Sequence, residues 1–247
     1  MRLTPLALAL SLTALSFSAQ AAEKRGWSGE AEFGLAVASG NSESETVNGK
    51  FAFNREADEW FYNLNAAALR AKADDSLSAN RYEIGGKYGY KFGERLYLFG
   101  SFRHDRDDFA SYDWQTIFST GVGYRFIDSE ATTLVGEFGP GLRRVQPIDA
   151  LIGLPPVSVS LDTESDTIVR GSLDFKHQLT ASTSLGNLFL VESGGGNTFM
   201  QNDLGISVQM SERFALKAGY QLRRNTEVPV GVKETDRLFT TNLVVGF

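Results

Sequence analysis

The chain has 247 residues, with 24 Lys and Arg against 30 Asp and Glu, 12% aromatic residues, 25 glycines, six prolines and no cysteine. The acidic balance argues against nucleic acid as a partner, and the lack of cysteine excludes a disulfide framework, a thiolate metal site and a cysteine nucleophile. Abundant glycine and aromatic residues with little proline fit many short strands and tight turns better than packed helices.

At the start, one positive charge at Arg2, an apolar run from Leu6 to Phe17 and the small-x-small triplet Ala19-Gln20-Ala21 predict a cleaved secretory signal peptide over residues 1–21. Removing it leaves 23 Lys and Arg against 30 Asp and Glu, a net charge of −7. The apolar core of this segment is too short to cross a bilayer as a helix, and no later run reaches the roughly 18 to 20 apolar residues that a membrane helix needs. If residues 22–247 sit in a membrane they must do so as strands, and a closed barrel is the sheet that satisfies every backbone group in hydrocarbon.

From Trp27 onward, apolar residues recur at every second position in segment after segment. The first strand has Trp27, Phe33, Leu35 and Val37 on one face and Ser28, Glu30 and Glu32 on the other; the second has Val47, Phe51 and Phe53 against Asn48, Lys50 and Asn54. Trp60, Tyr62 and Leu64 mark a third strand. The fourth is the clearest, with Tyr82, Ile84, Tyr88, Tyr90 and Phe92 against Arg81, Glu83, Lys87 and Lys91. Leu96 to Phe102, Trp114 to Phe126, Leu134 to Leu142 and Val169 to Phe175 continue the series, and Leu185 to Val191 is a ninth strand whose face is ambiguous. Met200 to Met210, Phe214 to Leu222 and Leu238 to Phe247 complete twelve, an even number as in single-chain bacterial barrels. The pattern predicts a 12-stranded antiparallel transmembrane β-barrel of the bacterial outer membrane, formed by residues 22–247. A soluble sandwich is the alternative, but it does not need one polar and one apolar face on every strand.

Connections support one orientation. Those at residues 40–45, 72–79, 106–113, 145–166, 193–197 and 225–234 read as outer loops, and Gly93 to Arg95, Ile127 to Ala131 and Ser211 to Arg213 as periplasmic turns, so both termini are expected in the periplasm. Trp27, Phe53, Trp60, Phe92, Phe126, Phe214 and Phe247 fall at the periplasmic ends and would form the lower aromatic girdle. A last strand ending on Phe247 also implies the barrel-assembly machinery as a partner.

The segment Glu137-Phe138-Gly139-Pro140-Gly141-Leu142-Arg143, with Ala38-Ser39-Gly40-Asn41-Ser42, Lys233-Glu234-Thr235-Asp236 and the aromatic terminus, resembles the YdiY-like family of salt-induced outer-membrane proteins, a domain of unknown function. The resemblance covers essentially the whole mature chain, and the Glu-Phe-Gly-Pro-Gly-x-Arg segment is its most specific part. It implies an outer-membrane location and this fold, with a loose link to envelope adaptation to salt. Nothing is carried over to residues 145–166, where Leu151-Ile152-Gly153-Leu154-Pro155-Pro156 makes the loop longer and more apolar than the family pattern.

Chemistry is sparse. Two histidines, His104 and His177, cannot build a His-rich metal site, and no cofactor is expected. His104-Asp105-Arg106-Asp107-Asp108 at the outer rim raises the alternative of a rim hydrolase activating water, but strand parity turns His104 away from Asp105 and Asp107. No Ser and His lie together on the lipid face as a barrel phospholipase would need. The reading is therefore a structural or narrow-pore barrel rather than an enzyme.

Inward parity gives eleven bases, Lys50, Arg81, Lys87, Lys91, Arg103, Arg125, Arg143, Arg170, Lys176, Lys217 and Arg223, against seven acids, Glu30, Glu32, Glu83, Asp105, Glu137, Asp174 and Asp203. Glu137 and Arg143 are expected to join Arg125, Arg170, Lys176, Lys87 and Glu83 in a charge ladder inside the lumen, or to hold a small ion. A slightly basic lumen would favour anions if water passes, and the same charges could pair off and block it. On outward parity, Arg70, Arg106, Arg144, Arg224 and Arg237 mark the extracellular ends, where they could bind lipopolysaccharide phosphates or snorkel at the interface.

Overall fold

The computed structural model describes residues 26–38, 44–74, 76–110, 112–152, 157–228 and 233–247. The expected signal peptide, Ser39-Gly40-Asn41-Ser42 and the Gly153-Leu154-Pro155-Pro156 part of the long loop lie outside the described residues.

The strands are β1 (Trp27–Ala38), β2 (Ser44–Glu56), β3 (Trp60–Ala73), β4 (Ser76–Lys91), β5 (Leu96–Asp107), β6 (Tyr112–Asp128), β7 (Thr132–Pro147), β8 (Ala150–Ile152), β9 (Val157–Val159), β10 (Glu164–Gln178), β11 (Thr183–Gly194), β12 (Asn197–Gln209), β13 (Phe214–Asn225) and β14 (Thr235–Gly246). All but β8 and β9 close into one antiparallel barrel in the order β1-β14-β13-β12-β11-β10-β7-β6-β5-β4-β3-β2. The long loop contributes the small β8–β9 hairpin, which pairs only with itself. Among the described residues no helix is long and apolar enough to cross a membrane.

The period-two pattern works as expected because successive side chains on a strand point to opposite faces of the wall. Phe33, Leu35, Tyr82, Tyr88, Phe118, Phe138, Leu142 and Phe239 are exposed on the outside, while Asp105, Glu137, Arg143 and Asn242 are buried within. That is the reverse of a soluble core. At the end holding Trp27 and Phe247, here called the lower end, Trp27 lies 5.1 Å from Phe53 and 5.6 Å from Tyr62, and Arg55 caps the rings of both Trp27 and Trp60. Tyr90 packs on Phe92 and Tyr124 on Phe126 in the same belt.

Three features depart from the sequence reading. The ninth strand, β11, takes its face from β10: Glu192 stands opposite Arg170 and faces inward, while Val191 stands opposite Gly171 and faces outward. A β-bulge between Tyr112 and Trp114 reverses parity at the top of β6, so Tyr112 points inside although Trp114 and Thr116 point out. The outer connections are also shorter than expected: β3 and β4 continue to Ala73 and Ser76, and β11 and β12 meet at a turn of only Gly195 and Gly196, both with positive φ as a tight hairpin requires. Loop asymmetry therefore rests on the β7–β10 and β13–β14 connections.

Candidate functional site in the barrel interior

The interior charges assemble into separate clusters. In the lower half, Glu137 of β7 accepts hydrogen bonds from Lys87 Nζ (2.6 Å), Tyr97 Oη (2.8 Å), Arg170 Nη1 (3.0 Å) and Ser172 Oγ (3.2 Å). Phe99 lies under the same two cations, 5.7 Å from Lys87 Nζ and 5.4 Å from the Arg170 guanidinium, and Tyr97 meets Phe61 edge-on. This cluster draws on β3, β4, β5, β7 and β10. At the lower mouth, Glu56 joins Lys91 (2.5 Å) and Arg125 (3.1 Å).

A second cluster crosses the upper lumen. Arg103 of β5 donates to Glu192 of β11, four strand positions away round the wall. Arg81 of β4 donates to Gln221 of β13 at 2.6 Å, five positions away on a ring where six is directly opposite. Between them the guanidinium groups of Arg103 and Arg223 each lie 5.0 Å from the centroid of the Phe199 ring. Glu83 Oε2 lies 4.0 Å from Arg103 and 3.9 Å from Arg223. Asp105, fully buried at 0% exposure, is held by Tyr112 Oη (2.6 Å) and Gln115 Nε2 (3.0 Å). These contacts join side chains from strands four and five positions apart round the barrel.

Of the residues expected to form one ladder, Glu137, Lys87 and Arg170 meet. Arg143 instead pairs with Asp166 at 2.9 Å and with the Gly194 carbonyl at 3.1 Å, Arg125 belongs to the lower mouth, and Glu83 belongs to the upper brace. Lys176 joins none of these clusters. The charge balance also changes. Glu56, Asp107, Asp128, Asp166 and Glu192 each pair with an inward base, so the seven expected acids become twelve against the eleven bases. The pairs thus add five acids to the seven that single-strand parity assigns inward. Parity along single strands missed these acids because three lie at or near strand ends outside the clear alternation, one lies beyond a presumed loop boundary and one lies on the strand with an ambiguous face.

His104 stands outside, with Nδ1 2.8 Å from Thr116 Oγ1 and its ring beside Trp114, while Asp105 is enclosed inside by Tyr112 and Gln115. The wall separates them, which removes the geometric basis of the rim hydrolase. His177 is likewise on the outer face, 2.8 Å from Thr132 Oγ1. No cluster of metal-binding side chains occurs among the described residues. Of the outward arginines, Arg106 pairs with Asp113 and Arg224 with Glu234, whereas Arg70, Arg144 and Arg237 are exposed.

A closed antiparallel barrel with an apolar outer face, an aromatic belt and charges packed inside defines an outer-membrane β-barrel protein. The chain belongs to the family described as "Protein of unknown function, DUF481", whose model matches residues 31–247. It is 24% identical to "Uncharacterized protein YdiY" of Escherichia coli (strain K12) over 224 residues, 90% of this chain and 84% of that one. The fold is similar to the translocator domain of the autotransporter NalP from Neisseria meningitidis, with a TM-score of 0.54, 13% identity, and 91% of this chain and 89% of that chain covered. An outer membrane channel from Pseudomonas putida F1 aligns at a TM-score of 0.45 and 13% identity over 92% and 97% of the two chains, a likeness too distant to bear on function.

Proposed function

We propose that this protein is a non-enzymatic outer-membrane barrel of structural or narrow-pore type, constricted by the side chains that cross its upper lumen. The observation that carries this reading is the pair of contacts across the upper lumen, Arg81 with Gln221 between strands five apart and Arg103 with Glu192 between strands four apart, beside the Phe199 ring. Twelve strands enclose more space than the eight whose interiors side chains fill completely, and fewer strands than the open porins. A brace of this kind narrows such a lumen. Both termini lie on the periplasmic side in this reading, because the long β7–β10 and β13–β14 connections then face outward and the Trp27–Phe247 belt lies at the inner interface. The link to salt adaptation belongs to the same proposal and predicts altered expression or growth of a deletion strain at high osmolarity.

The test is planar-bilayer recording of the refolded full barrel beside an Arg81→Ala/Arg103→Ala/Arg223→Ala variant that removes the brace. The wild type should show conductance steps several-fold smaller than the variant. Equal steps would overturn the reading.

A further inference from the structure

The barrel wall is not uniform. At the closing seam only five residues of β1, Glu30 to Gly34, pair with β14, Gly246 to Asn242, whereas the other neighbouring strands pair over ten to fourteen residues. Gly29 and Phe247 exchange both backbone hydrogen bonds, at 2.7 and 3.0 Å. The alternation of an antiparallel ladder therefore aims the N–H and C=O groups of Thr241 and Phe239 at β1. Continuing the register would bring Leu35 opposite Thr241, yet among the described residues the ladder stops at Gly34–Asn242. Unpaired backbone groups at membrane depth are costly and call for another partner or a lined cavity.

Just below the gap the seam is latched from inside. Asn48 of β2 donates to Asn242 of β14 at 3.0 Å, Asn242 donates to Glu32 of β1 at 2.9 Å, and Lys217 of β13 donates to Glu32 at 2.5 Å. Asn48 and Asn242 arch over Gly34, where a Cβ would lie 2.3 and 2.2 Å from their side-chain oxygens. This latch is the floor of the gap. Its inner wall is the Arg81–Gln221 contact, which separates the β14-β1-β2-β3 arc from the rest of the lumen. Leu69, Leu238 and Thr240 face that space, and Leu35 and Phe239, 60% and 77% exposed, flank its mouth on the outside. At the upper edge stands Arg237, exposed and without an ion pair among the described residues.

We propose that the β1–β14 seam above Gly34–Asn242 is a lateral slot open to the outer leaflet that takes one alkyl chain of an anionic membrane lipid, with Arg237 on the headgroup. Apolar edges suit the chain, the β14 N–H groups and the guanidinium suit the negative head, and the latch sets how far the slot descends.

The lack of cysteine makes every engineered thiol unique. In the full barrel reconstituted in phosphatidylcholine vesicles, oxidation of Ala31→Cys/Val245→Cys should cross-link the paired half of the seam, while Leu35→Cys/Thr241→Cys should stay open. Equal cross-linking of the two pairs would show a closed seam and overturn the slot. Bimane on Thr240→Cys, which faces the interior, should be quenched several-fold more by brominated phosphatidylglycerol than bimane on Asn65→Cys, an interior position on β3. Equal quenching at the two positions would exclude the alkyl chain. In the Arg237→Gln background brominated phosphatidylglycerol should lose its advantage over brominated phosphatidylcholine; a retained advantage would remove Arg237 from the headgroup. A heat-modifiable gel shift confirms that each variant is folded.

Discussion

Glu137 accepts from Lys87, Tyr97, Arg170 and Ser172 at once, so its charge neutralises two cations that form no other ion pair among the described residues. Replacing it with Gln keeps the shape and removes the charge, and breaking a buried ion pair in this way costs about 3–5 kcal/mol. Urea titration of refolded Glu137→Gln should show a loss of that order; a loss below about 1 kcal/mol would mean that water already screens the pair. Strand parity assigns Glu137 and Arg143 to one face, and both are buried, but it could not divide them between clusters, because parity identifies a face and says nothing about which strand lies across the lumen. The outward arginines divide in the same way. Arg106 and Arg224 are already engaged by Asp113 and Glu234, leaving Arg70, Arg144 and Arg237 available for phosphate. We propose these three as the lipopolysaccharide contacts, so native mass spectrometry should show retention falling with Arg70→Gln and Arg144→Gln and unchanged with Arg106→Gln. The reverse order would assign the arginines to ordinary interfacial snorkelling.

At the scale of strands, alternation was strong wherever lipid meets one face and a wet interior the other, and there the sequence located the elements to within a few residues. It failed where local chemistry breaks the period, at the Tyr112–Trp114 bulge, and where both faces of β11 carry mixed residues, so that only register with β10 assigns Glu192 inward. The Glu-Phe-Gly-Pro-Gly-x-Arg segment shows what its small residues do. The β6–β7 ladder runs from Ser119–Gly141 to Val122–Phe138 without pairing the residues between, beside a proline that has no N–H to donate. There the backbones approach so closely that a Cβ on Gly139 would lie 2.0 Å from the Thr120 carbonyl oxygen, whereas one on Gly100 would meet nothing within 4 Å. Gly139→Ala should therefore destabilise the barrel by about 1–3 kcal/mol, as overpacking does, and Gly100→Ala should be neutral. The midpoint temperature of the gel-shift transition distinguishes them, and equal midpoints would show that β6 and β7 separate without strain.

For the molecule as a whole, the balance of charge inside the wall governs what a pore could select. Strand parity alone leaves a basic excess and anion preference, but Glu56, Asp107, Asp128, Asp166 and Glu192 offset it, and each is held by an inward base. Lumen charge sets selectivity only through groups that permeating ions meet at the constriction. Since bases and acids differ by one, eleven against twelve, the wild type should give a reversal potential near zero in a potassium chloride gradient. Taking away Arg81, Arg103 and Arg223 widens the upper lumen and leaves Glu83, Asp105 and Glu192 without the cations that neutralise them. That triple variant should shift to cation preference as its conductance rises. If it preferred anions instead, the acids of the brace would have to lie outside the ion path, and the upper lumen would not be the narrowest part of the barrel.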